Sequence, residues 1–332
     1  SANRIFVTKE FGLSREFAHF EEHRLGFQQV VRSSTLVRAI VSSDVVRDLM
    51  GFNDNLARVT ARDNHRALLR WIERDRTRPF FAFVNFMEAH SPYLPSPPYA
   101  TRFGWYSDDA TARVRREARA LSRHEPEGIG TDTARHAVRA YEGAIAQLDA
   151  AVGVMLQDLR ARGLLDNTLV IVAADHGEEF GEHGLFGHGN SLYVQSLHVP
   201  LVMVFPGRIA PDKRVRHEVS LRSVAATVLD LAGVKAELPG TSLRALWESA
   251  TTTQGESPVF SEIRYNPRLP DVARSRLGDM MSAVSLSTQV IRNGDGSIEA
   301  FDLAADPTGV LRADTLAETV TRLRLRMPPP RR

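Results

Sequence analysis

Apolar positions recur along this 332-residue chain with more than one period. Leu68 and Ile72, like Ala67 and Trp71, are apolar pairs four apart, and they predict a helix over 59–74. Tyr141, Ile145, Leu148, Val152, Met155 and Leu159 recur at intervals of four and three. That spacing predicts one long helix with those side chains on its packed face and Gly163 as its stop. A shorter helix is predicted over 223–232, closed by Gly233. Between the helices lie short apolar runs at 80–86, 168–174 and 199–205. Runs of this length without polar alternation predict strands buried on both faces. Prolines at 92, 95, 97 and 98 end regular structure after the first run. Residues 4–8 are also strand-like, and the polar stretch 104–131 predicts a surface helix and loop.

Helices alternating with buried strands predict an α/β fold, a mostly parallel central sheet sandwiched by helices. Past about residue 250 the pattern changes. "SPVFSEI", "MSAVSLSTQVI" and "SIEAFDL" are strand-like, with a turn signal, "NGDG" at 293–296, between the last two. The chain therefore divides into an α/β domain over 1–250 and a small C-terminal antiparallel sheet subdomain over 251–332. The basic run "RLRLRMPPPRR" at 322–332 reads as a frayed tail.

Composition narrows the class. With 43% hydrophobic and 25% charged residues the chain can bury a sizeable core. Its apolar runs fall far short of the roughly 20 residues that span a bilayer, and no leader-like segment opens it. The net charge is +2 and the pI about 9.1; only three of the 42 basic residues are lysines. The arginines are spread rather than gathered into a basic stripe, which argues against a nucleic-acid partner. There is no cysteine, hence no disulfide, thiolate metal site or cysteine nucleophile.

The chemistry is concentrated in "VIVAADHGEEFGEHGLFGHGN", residues 170–190. In an open α/β sheet, ligands bind beyond the carboxyl ends of strands, and "ADHG" and "NFMEAH" both follow strand-like runs. Asp175 and His176 offer a hard oxygen and a borderline nitrogen, a pair suited to a divalent cation. Neighbours on a strand point to opposite faces, so the backbone must leave strand geometry there, and Gly177 permits it. Five glycines make a helix through this segment costly, at roughly 1 kcal/mol each against alanine. The segment is expected to be a loop. Taken alone, Asp-His-Gly fits a turn capped by its aspartate equally well. His183 alone fits a loop anchor, and His90 alone a surface residue.

At these residues the chain resembles the sulfatase family of the alkaline-phosphatase-like superfamily. The resemblance runs through "GLSREFAHFEEH", "RPFFAFVNFMEAHSPYLPSPPY", "YEGAIAQLDAAVG", "DHGEEFGEHGLFGHGNSLYVQSLHVPLVMVFPG", "VSLRSVAATVLDLAGV", "LPGTSLRALW" and "EAFDLAADP", in the family's order. It implies that Asp175 and His176 ligate a divalent cation, typically Ca2+ in sulfatases, with Zn2+ or Mn2+ as alternatives. It implies that His90 hydrogen-bonds sulfate or phosphate oxygens, or protonates the departing alkoxide. His188 stands where most sulfatases carry a lysine, and an imidazolium there would serve only while protonated. The implied substrate is a sulfated small molecule or glycan. "DHGEEFGEHGLFGHG" also resembles phosphoethanolamine transferases, so a phosphoethanolamine- or phosphoglycerol-type transferase or phosphodiesterase is the alternative, with a non-catalytic anion-binding member as a third.

The family's nucleophile lies in a Cys/Ser-x-Pro-x-Arg motif that this sequence does not contain, and without cysteine no formylglycine can form within it. "SSTLVR" at 33–38 lacks the proline. The resemblance implies a longer parent in which roughly a first quarter to third carries the nucleophile, further metal ligands and any periplasmic export signal or membrane anchor of a bacterial protein. The chain alone would leave a hard cation short of its about 6–8 oxygen ligands, so it is expected to bind metal weakly and not to turn over aryl sulfates.

Overall fold

The computed structural model describes residues 12, 14–21, 59–91, 93–104, 131–248, 258–267, 269, 273–312 and 317–328. The strand expected at 4–8, nearly all of the polar stretch 104–131, and the 33–38 segment lie outside them. The chain forms two compact units, one holding the described residues up to Arg162 and the other those from Gly163 onward.

The first unit is helical among its described residues. Helix α1, Ala61–Ile72, starts where the Thr60 hydroxyl accepts the Asp63 N–H at 3.2 Å. Helix α2, Tyr99–Arg102, follows the proline-rich segment, and α3 runs Thr131–Ala161. The packed face of α3 differs from expectation in its first half. Ala137, Ala140 and Ala144 are buried there, while Ile145 is 42% exposed. Small residues let the helix approach the proline segment so closely that a Cβ on Gly143 would lie 2.9 Å from the Tyr99 carbonyl oxygen. Met155 and Leu159 are buried as the spacing predicts.

The run at 80–86 is a correction. It carries no ladder, and Phe81 and Phe83 are 62% and 65% exposed. An aromatic run becomes a buried strand only where other strands flank it. Among the described residues none does; the segment is tied instead to α1, whose Asn64 side chain donates to the Asn85 carbonyl at 2.8 Å.

The second unit holds the strands. β1, Val170–Ala173, pairs antiparallel with β4, Leu201–Val204, in the register Val170 opposite Val204. β2, Glu179–Phe180, and β3, Phe186–Gly187, form a minimal hairpin around a 3-10 turn at Glu182–Gly184. The short helix α4, Val194–Leu197, leads into β4. Helix α5, Arg222–Leu231, ends at Gly233, whose φ of 71° lets the Val234 N–H reach back to Leu229 at 2.8 Å. Helix α6 is Ala245–Glu248. The expected C-terminal antiparallel sheet is a four-stranded meander of β5 (Val259–Ile263), β6 (Met280–Ser285), β7 (Thr288–Arg292) and β8 (Ile298–Asp302). Every ladder among the described residues is antiparallel, so the parallel pairing expected of the central sheet is not among them.

Both faces of the meander are covered, with the period-two alternation a strand requires. On one face Met280, Ile291 and Phe301 pack with Leu185, Leu192 and Tyr193 of the glycine-rich loop. On the other, Met281, Ala283 and Val290 pack with Leu323 and Met327. Leu323 lies on helix α7, Ala317–Arg326, so the basic run is not frayed through residue 327. Val320, Leu323 and Met327 recur at three and four and form an apolar stripe that the arginines between them mask in the sequence. Among the described residues no helix is long and apolar enough to cross a membrane.

Candidate active site

The chain leaves β1 at Ala174 and places Asp175 and His176 side by side. The Asp175 Oδ2 lies 3.8 Å from the His176 Nε2. His176 Nδ1 sits 2.8 Å from the Gly177 carbonyl, which can only accept, so Nδ1 carries a proton and Nε2 is the ring nitrogen on the Asp175 side. Two ligand atoms of one cation, at about 2.1 Å for nitrogen and about 2.4 Å for oxygen, lie no more than about 4.5 Å apart. The pair fits as two members of a coordination shell. No group of three or more potential ligands occurs among the described residues.

Gly177 is required here for a reason other than backbone freedom. Its φ is not in the left-handed region, but a Cβ on it would stand 2.0 Å from the Gln195 carbonyl oxygen. Its N–H donates to the Ser196 carbonyl at 2.8 Å, so the turn after His176 is pressed against α4. Only a residue without a side chain fits.

His188 is brought to the same place. Its ring stacks on that of His176, centroids 3.9 Å apart, and its Nδ1 lies 2.8 Å from Glu178 Oε1, a nearly buried carboxylate. The bond to Glu178 raises the His188 pKa; burial opposes it, and the charges of Glu178, Asp175 and Glu179 add to the rise. A raised pKa widens the pH range over which this imidazole, stacked beside the Asp175–His176 pair, carries positive charge and can attract an anion.

Glu179, the next residue, faces inward and is 1% exposed. Its Oε1 accepts the Ser191 hydroxyl at 2.6 Å while its Oε2 is buried with no hydrogen bond. Burial pushes its pKa up to about 7, against the Ser191 bond and with help from Glu182 and Glu178. His183 is the anchor. It adopts φ 57°, stacks on Tyr193 at 3.6 Å and meets the Phe301 ring edge-on at 5.6 Å; burial holds its pKa below the usual value. The Tyr193 hydroxyl donates to Glu299 Oε2 at 2.9 Å, and Glu299 is also held by Arg312 and, at 3.9 Å, by Arg274.

His90 belongs to the other unit. Its Nδ1 contacts the Ser91 carbonyl at 2.7 Å, and the preceding Glu88 accepts the N–H groups of Ala61 at the start of α1 and of Met87. Asp175, His176 and His188 are thus gathered on one loop, and His90 sits on a separately braced one.

The family is decided by the span of its match: the sulfatase model covers residues 7–234. The chain belongs to the sulfatase family. A second model, for the C-terminal region of N-sulphoglucosamine sulphohydrolase, covers residues 181–310 of this sulfatase chain. An arylsulfatase of Clostridium perfringens is 32% identical over 195 residues, 54% of this chain and 40% of that protein. The choline-sulfatase of Rhizobium meliloti is 28% identical over 291 residues, 82% of this chain and 53% of that protein. The chain thus spans about half the length, or less, of these relatives. Among solved structures, a phosphonate monoester hydrolase from Silicibacter pomeroyi superposes with a TM-score of 0.67 at 20% identity, covering 94% of this chain and 70% of that one. That likeness establishes the alkaline-phosphatase-like α/β fold. Sulfatases generally use a divalent metal, and the Asp175–His176 pair has the donor chemistry for it.

Glu178, Glu179, Tyr193 and Glu299 escaped the sequence reading. The adjacent "EE" in the imidazole-bearing loop was a visible signal for the first two, since perturbed carboxylates gather at functional sites. Nothing local marked Glu299, which is 106 residues from Tyr193.

Proposed function

We propose that this chain is the metal- and anion-binding portion of a sulfate-ester hydrolase. The observation that carries the reading is the triple placement of Asp175, His176 and His188 on one loop, the first two 3.8 Å apart and the third stacked at 3.9 Å. Asp175 and His176 would hold the cation, Ca2+ by preference, which when bound polarises the ester oxygens and draws negative charge off the sulfuryl group. His188, whose pKa Glu178 raises, hydrogen-bonds a sulfate oxygen or, when protonated, pairs with it. His90 supplies a second imidazole, for the sulfate oxygens or for the proton the leaving alkoxide takes up. The substrate class is a sulfated small molecule or glycan.

Attack at sulfur needs a nucleophile, and the family's motif for one is not in this sequence, which also has no cysteine. The chain by itself is therefore expected to bind the cation weakly and to leave aryl sulfates intact.

The test is calorimetric titration of the chain with Ca2+, Zn2+ and Mn2+, alongside Asp175→Asn. Binding at one site, weakened at least about tenfold by Asp175→Asn, supports the assignment; affinity indifferent to that substitution removes it. Paired aryl sulfate and aryl phosphonate assays address the chemistry. Rapid sulfate release by the 332-residue chain alone would show that its nucleophile lies inside it, contrary to the reading. Phosphonate turnover without sulfate turnover would favour the activity named for the structural neighbours.

A further inference from the structure

Asp306, in the "DP" step after β8, accepts hydrogen bonds from four donors. Its Oδ1 takes the N–H of Thr308 at 3.0 Å and the Thr308 hydroxyl, and its Oδ2 takes the N–H groups of Val310 at 2.9 Å and Leu311 at 2.8 Å. The bond from Leu311, followed by that of the Thr308 hydroxyl, holds its pKa down to about 2, so the carboxylate is charged throughout the working range. The turn it closes presents the Thr308 carbonyl to the Gln195 side chain, whose Nε2 donates at 2.7 Å. It also seats Gly309 tightly on α4, where a Cβ on Gly309 would fall 2.6 Å from Val194 Cγ1.

The other side of α4 supports the candidate metal pair. Ser196 accepts the Gly177 N–H at 2.8 Å, and the Gln195 carbonyl stands where a Gly177 side chain would be. The Asp306 turn, α4 and the residue after His176 therefore touch in series. The Gln195 amide oxygen is buried with no hydrogen-bond partner, a cost that an apolar side chain of the same length would not carry. What the amide contributes in return is its one donor bond to Thr308.

We propose that Gln195 and Asp306 are positioning residues: the Asp306 turn, through the Thr308–Gln195 hydrogen bond, sets where α4 holds Gly177, and with it the Asp175–His176 pair. That this pair takes a cation rests on the proposed function; the mechanical link does not.

The experiment is amide exchange by NMR on the full chain, reading Gly177 against Ile291, a fully buried residue of β7 that reports global opening. Gln195→Met keeps the length, removes the donor and also removes the unpartnered oxygen. It is expected to speed Gly177 exchange about tenfold while Ile291 holds its rate. Asp306→Asn keeps one acceptor oxygen and is expected to act in the same direction. The double variant should exchange no faster than the faster single, because both cut one path. Gly177 unmoved in both variants, Gly177 and Ile291 accelerating together, or multiplying effects in the double variant would each overturn the link. Calorimetry with Ca2+ on the same samples separates the two readings. Absence of binding by the wild-type chain removes the metal assignment and leaves the link to be decided by exchange. Where the wild type binds, Ca2+ affinity falls in Gln195→Met; an unchanged affinity with a loosened Gly177 amide overturns the claim on the pair.

Discussion

Glu179 makes a pH dependence that one substitution should erase. Its carboxyl is 1% exposed, one oxygen is bonded to Ser191 and the other has no partner, and its pKa stands at about 7 against 4.5 in an unfolded chain. The folded state therefore holds a proton over an interval in which the unfolded state has released it. For an acid whose folded pKa is raised, stability is highest below the unfolded value and falls as pH rises from 4.5 towards 7. Above that window both states are ionised, and the folded one carries a buried carboxylate at a cost of about 3 kcal/mol, at about 1.4 kcal/mol per pKa unit. Glu179→Gln keeps the shape and an oxygen for Ser191 but cannot ionise. Urea unfolding of both proteins from about pH 3.5 to about pH 8 should give nearly equal stabilities at the acid end. At the alkaline end the variant should be more stable by up to about 3 kcal/mol. Other groups slope the two curves equally, so the difference isolates Glu179. If the two curves run parallel across the range, Glu179 has the same pKa folded and unfolded and the reasoning is wrong.

Gly177→Ala forces a methyl to 2.0 Å from a backbone oxygen, so denaturant titration should show a loss of at least about 2 kcal/mol and metal titration a weakened site. Phe301→Ala empties the fully buried position on which His183 and Tyr193 rest; the expected cost is about 3–5 kcal/mol by urea melt, with loss of near-ultraviolet dichroism from Tyr193. Tyr193→Phe removes only the hydroxyl on Glu299, which keeps its arginines, so about 1 kcal/mol is expected, and a neutral result would mean the bond contributes nothing net.

The loop at 170–190 was legible because its signal is local: five glycines among acids and imidazoles within twenty-one residues make a helix too costly. Four of its glycines do take positive φ, at 181, 184, 187 and 189. Features set by distant partners were not legible. Nothing in "RPFFAFVNF" says whether flanking strands are present, and among the described residues they are not. Nothing in "RLRLRM" says that a sheet face waits for Leu323 and Met327. The β6–β7 hairpin turns on Leu286 and Ser287, both at positive φ, where turn chemistry would favour asparagine and glycine. The reading of 281–291 as one strand-like stretch missed a reversal carried by tertiary pairing.

The distant partners bear most directly on the site. The β2–β3 hairpin is two residues on each side, far too small to hold itself together in water. Its order comes from Leu185, Leu192 and Tyr193 packing on Ile291, Met280 and Phe301, and from the hydrogen bonds that tie Tyr193 to Glu299 and Gln195 to Thr308. The two family matches overlap over residues 181–234, a span that includes the loop residues Leu185, Leu192 and Tyr193 of this core. The sheet is the loop's missing half-core. Substitutions on β7 and β8, more than a hundred residues from the Asp175–His176 pair, therefore bear on the order of the loop that carries it.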